Sequence, residues 1–83
     1  MMSESGHDIH AHFPEHRDAL HALKLNSPHY RELSDRYHGL AQRIARIEEG
    51  LEPVSDDLLE ELKKQRLDIL DKIAAMITQE SLA

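Results

Sequence analysis

Four imidazoles fall within the ten residues HDIHAHFPEH, at His7, His10, His12 and His16. Imidazole is the commonest protein metal ligand and the side chain that titrates closest to neutral pH, so this stretch offers two chemistries. The first is chelation. His10 and His12, joined by His7 or Asp8, can close on Zn, Ni or Cu from an extended segment. His12 and His16 are four apart and would share a helix face, but Pro14 suits the first turn of a helix and leaves His12 outside it. Structural zinc sites usually add cysteine or fixed outer partners, and the chain has no cysteine. The second chemistry is a pH response. Seven histidines sit in a chain of formal net charge -6, and protonating them below imidazole's ordinary pKa of about 6.5 would more than cancel that charge.

Catalysis has less to stand on. There is no thiol nucleophile, no glycine-rich phosphate loop and no HExxH, and Ser, His and Asp occur without the arrangement of a triad. The chain is therefore expected not to be an enzyme and to need no cofactor. Lys63, Lys64 and Arg66 with Arg43 and Arg46 make a small basic patch, but the acidic balance and an aromatic content of 4% disfavour nucleic acid and anionic membranes. No apolar run is long enough to span a bilayer, and MMSESGHDIH lacks the regions of a secretion signal. A cytoplasmic location is expected, with which the absence of cysteine agrees.

The elements that must position these residues follow from spacing. Residues 1–12 are polar and aperiodic, which predicts a flexible, histidine-bearing leader. A single helical domain is expected over 13–79, with helices at about 14–25, 28–49 and 56–79. The first carries Phe13, Ala19, Leu20 and Leu23, too narrow a stripe to be stable alone. In NSPHY, Ser27 can cap a second helix with Pro28 in its first position. That helix repeats Tyr30, Leu33, Tyr37, Leu40, Ile44, Ile47 and Leu51 at alternating three and four residue steps. Gly50 and Pro53 stop it. Ser55, followed by Asp56 and Asp57, caps a third helix whose seam is Leu59, Leu62, Arg66, Ile69, Ile73 and Met76. Long helices joined by a short loop fold back on each other, so the expected class is all-α: a short N-terminal helix, then a long antiparallel coiled-coil-like hairpin that oligomerises into a helical bundle.

Two features point outward. Arg66 stands at a seam position opposite Leu40 and beside Gly39, where its stem can pack while its guanidinium reaches water or an acid on a partner. At about 100° per residue, the apolar side chains of the third helix cover more arc than one partner helix hides. Leu67, Leu70, Ala74 and Ile77, with Arg66, are therefore the candidate interface, covered partly by the first helix and partly by a second chain. The expected role is a homo-oligomeric interaction module that bridges or recruits an unknown protein; the alternative is a metal-binding or pH-responsive protein using the N-terminal histidines.

FPEHRDALHALKLNSPHYRELSDRYHGLAQRIARIE, a short loop and LKKQRLDILDKI resemble the YdcH-like family of small bacterial proteins, a domain of unknown function. The resemblance covers about residues 13–77 and rests on Phe13-Pro14-Glu15, Ser27-Pro28 and the stretch from Leu62. His16 stands where an aromatic is commoner, and the extension before Phe13 lies outside the pattern. The resemblance implies helical hairpins or coiled coils, with no established activity or catalytic residues.

Overall fold

A computed structural model describes residues 9–82, with side chains described through Glu80. Among these the chain is helical and holds no strand: α1 (Ile9–His12), α2 (Arg17–Asn26), α3 (Pro28–Glu48) and α4 (Asp56–Leu82). The all-α class is as expected. Helices α3 and α4 form the long hairpin, and α2 packs on both of them.

The joints between helices are built from local hydrogen bonds. Ser27 ends α2 by donating its amide to the Leu23 carbonyl at 2.8 Å. It also opens α3, its hydroxyl accepting from the Tyr30 amide at 3.1 Å, while Pro28 fills a position whose amide would have no helical partner. The Arg31 guanidinium donates to the Lys24 carbonyl at 2.7 Å, satisfying another end group of α2. Helix α3 closes with a Schellman motif: the Leu51 amide reaches the Arg46 carbonyl at 2.9 Å and the Gly50 amide reaches that of Ile47 at 3.1 Å. The motif requires a left-handed residue, and Gly50 supplies it at φ 82°. Arg43 and Arg46 then hold the loop from above, through Glu52 at 3.0 and 3.4 Å.

At the start of α4 the Ser55 hydroxyl accepts from the Leu58 amide at 3.1 Å, and Asp56 and Asp57 sit at the positive end of the helix. Ser55→Ala is expected to cost about 1 kcal/mol, the usual worth of such a cap. A urea melt followed by circular dichroism checks this; a loss below about 0.3 kcal/mol would mean the two aspartates hold the turn alone.

The core runs along the hairpin and under α2. Tyr30, Leu33, Tyr37, Ala41, Ile69, Ile73 and Ile77 form one cluster with Leu20, Leu23 and Ile9. Nearer the loop, Ile44 and Leu62 are buried. The strict seam drawn from spacing needs adjusting. Leu40, Ile47, Leu59 and Met76 are only half-buried, Ala41 and Ile77 are buried instead, and Leu51 lies beyond the helix at 70% exposure. A straight helix drifts about 20° per heptad from a perfect seven-residue repeat, and α2 and α1 cover one side of the hairpin, so burial shifts toward that side.

The N-terminal expectation differs most. Ile9–His12, expected within a flexible leader over residues 1–12, is a helical turn, and Ile9 is 1% exposed within the core; residues 1–8 of that leader lie outside the described residues. The first long helix begins at Arg17 instead of Pro14, because FPEH forms a turn in which the His16 amide donates to the Phe13 carbonyl at 3.0 Å. Proline's fixed φ suits the second position of such a turn as well as the first position of a helix.

Candidate functional site

Of the three candidate metal ligands, His7 lies outside the described residues. His10 and His12 are both exposed and sit on α1. His12 has a task within the fold. Its Nε2 and the Tyr37 hydroxyl share a hydrogen bond of 3.0 Å, and the two rings meet edge to face with centroids 5.9 Å apart. Tyr37 is one of the largest fully buried side chains, and a buried phenol needs a hydrogen-bond partner for its hydroxyl. His38 lies on another side of the same ring, edge to face at 5.6 Å. His12 and Tyr37 therefore tie α1 to α3, a pairing across 25 residues that spacing alone cannot reveal.

Other described histidines gather elsewhere. His10, His16 and His21 line an open hollow at the start of α2, with Glu15, Arg17 and Asp18 around them. Among the described residues no three His, Asp or Glu side chains are placed to hold a metal ion. What the hollow offers is a wet surface of mixed charge.

On α4 the candidate interface residues separate by burial. Leu67 is 59% exposed. Leu70 is half-buried and packs on the core, and Ala74 is half-buried beside it. Ile77, at 4% exposure, belongs to the core cluster with Leu20, Leu23 and Ile9, so it lies in the part of the flank that the N-terminal helices cover. Arg66 is half-buried and makes no hydrogen bond or ion pair with any described residue. The outward strip is therefore Leu67, with Leu70, Ala74 and Arg66 at its edges, shorter than spacing predicts and displaced toward the loop.

The small basic patch is largely answered by acids of the chain. Arg43 and Arg46 share Glu52, and Lys63 pairs with Glu48 at 3.2 Å across the hairpin. A second surface lies between α3 and α4, lined by no residue of α1 or α2. Leu40, with the buried Leu33 and Ile69 beneath it, forms its apolar part; on the α3 wall Gly39 leaves room beside Arg36, which pairs with Glu32 at 3.4 Å, and Glu61, Lys64, Gln65, Asp68 and Lys72 of α4 form the other wall. Nothing stands within 4 Å of where a Cβ on Gly39 would project. Spacing singles out Gly39 only as room for Arg66, and not this groove. Among the described residues no helix is long and apolar enough to cross a membrane.

This geometry defines a class: a small all-α protein built on an antiparallel hairpin with a docked N-terminal helix and two outward surfaces on α4. The chain belongs to the family described as protein of unknown function DUF465, whose model matches residues 31–77. The uncharacterised protein YdcH of Escherichia coli (strain K12) is 33% identical over 69 residues, covering 83% of this chain and 93% of that protein. The uncharacterised protein YdcH of Shigella flexneri matches with the same identity and coverage. No solved structure matches this chain.

Proposed function

We propose that this chain is a small, non-enzymatic helical interaction module of the cytoplasm, acting as a homo-oligomer that bridges or recruits another protein. The observation that carries the reading is Leu67, a large apolar side chain 59% exposed in the middle of a long, charged helix. Scattered exposed leucines are ordinary. Here Leu70 and Ala74 continue the same strip and Arg66 flanks it with a guanidinium that pairs with no described residue, so an amphipathic helix of a partner finds apolar contact and a charge that fixes its register. Catalysis finds less support. The hollow at the start of α2 and the groove between α3 and α4 are both open to water, whereas catalytic groups work in mutual geometry within a shielded pocket.

Leu67→Ser tests the reading. Because the side chain is mostly in water, folding stability should change by no more than about 0.5 kcal/mol, while partner binding drops. Affinity capture from the native cytoplasm with both chains decides it. Proteins held by the wild type and lost by Leu67→Ser, at equal thermal midpoint, are the expected result; identical captures from both would overturn it.

A further inference from the structure

We propose that the groove between α3 and α4 receives a second copy of this chain, with α4 of one copy running antiparallel to α4 of the other. The inference deepens the oligomeric part of the reading above and uses a face separate from Leu67. Along the α4 wall of the groove the charged side chains alternate in sign: Glu61, Lys64, Asp68, Lys72. All four are exposed. Read backwards, the order is positive, negative, positive, negative, so the stripe is complementary to itself only when reversed. A two-fold axis on the face of the stripe, level along the helix with the Arg66–Leu67 step, sets Glu61 against Lys72 of the second copy and Lys64 against its Asp68. Both pairings share nearly the same centre in the chain, so one axis forms all four bridges. A parallel arrangement would oppose like charges at every step.

The charges within one chain leave room for this. Lys72 reaches Asp68 at 2.9 Å, and Glu61 accepts from Gln65 at 3.3 Å, contacts along one helix that a second helix can extend into a network. Lys64 forms no ion pair with any described residue. Surface charge pairs contribute orientation and register more than affinity; here the half-buried Leu40 supplies apolar contact in the groove, over a floor made by the buried Leu33 and Ile69. Gly39 matters on the same wall as Leu40: with no side chain, it lets a neighbouring helix approach. The resulting dimer presents two Leu67 strips, which is the geometry a bridging protein needs.

Charge reversal tests the ladder. Lys64→Glu with Lys72→Glu makes the stripe wholly acidic, and Glu61→Lys with Asp68→Lys makes it wholly basic. Each double variant is expected to sediment as a monomer at concentrations where the wild type is a dimer, and an equal mixture of the two should restore a dimer that high salt weakens. Circular dichroism verifies that both variants are folded. As a second readout, Gln65→Cys in this cysteine-free chain should oxidise to a disulfide-linked dimer, and Leu67→Cys on the other face should do so far less.

Variants that keep wild-type mass, or a mixture that stays monomeric, would overturn the antiparallel ladder. If Leu67→Ser dissociates the dimer while the charge variants do not, self-association uses the other strip: the ladder falls and the interaction-module reading survives. A wild type monomeric at every concentration overturns both the ladder and the oligomeric part of that reading, leaving partner capture to its own test.

Discussion

Replacing Ile73 by Ala should lower the stability of the fold by about 2–5 kcal/mol, the range for truncating a buried aliphatic side chain. Ile73 is 0% exposed. It lies in the layer where α3, α4 and α2 share one apolar cluster, with Leu33, Tyr37, Ile69 and Ile77 among its members. No charged or polar residue is buried among the described residues, so the term at stake is apolar transfer plus the cavity left behind. The size of the protein sets the consequence. A single small core seldom supplies more than about 3–5 kcal/mol, so Ile73→Ala removes a large share of the total and should leave a measurable unfolded fraction without denaturant. Chemical denaturation followed by circular dichroism reads the loss, with Leu51→Ala as the control. Leu51 is largely in water, and its truncation should stay within about 0.5 kcal/mol. A loss below about 1 kcal/mol at Ile73 would mean that the helices collapse onto the vacated space and that the core is far less rigid than its burial implies.

The hairpin was legible because its signals are local and agree. The three and four residue steps mark α3 and α4, Gly50 marks the stop, and Ser27 and Ser55 mark the starts; each is answered by a hydrogen bond in the structure. The side to which the seam leans was not legible. Ala41 rather than Leu40 is buried, and Ile77 rather than Met76, because α2 and α1 lie against one flank, and their docking is a tertiary fact absent from the period of either long helix. The same cause shortens the candidate interface to the neighbourhood of Leu67.

The histidine cluster shows a different limit. Residue type and spacing made His10 and His12 look like ligands of one ion, whereas His12 contacts a tyrosine 25 positions away. A buried tyrosine carries a hydroxyl that must be satisfied, and Tyr37 on the seam was visible as such; its partner was not, since a polar side chain from any element could serve. The groove is not legible in the sequence for a related reason. Its wall charges are readable as a string, but only the packing of α3 beside α4 shows that Glu61, Lys64, Asp68 and Lys72 border an apolar strip.

Ile9→Ser is the variant with the other large expected effect, because it separates the N-terminal turn from the rest of the fold. A four-residue helix has no stability of its own, so α1 persists through what it docks on. The structure offers two anchors: Ile9, 1% exposed in the core, and the hydrogen bond from His12 to Tyr37. Fully burying an aliphatic side chain is worth about 1.5–3 kcal/mol, and one hydrogen bond a net 0.5–1.5 kcal/mol by typical values, roughly. Ile9→Ser should therefore cost about 1.5–3 kcal/mol, more than His12→Ala, and should release α1. The upper bound follows from the topology, since a turn that can undock loses its docking energy and leaves α2, α3 and α4 packed together. Tyrosine fluorescence can follow this, as the chain has two tyrosines and no tryptophan. Ile9→Ser should make Tyr37 more accessible to an added quencher, while the helical signal of the hairpin stays near that of the wild type. If quenching is unchanged and stability falls by less than about 0.5 kcal/mol, residues 9–12 are not part of the cooperative unit. If the whole helical signal is lost instead, α1 is required for the hairpin to fold at all, and the first turn of the histidine stretch is a structural keystone with no need of a metal to explain it.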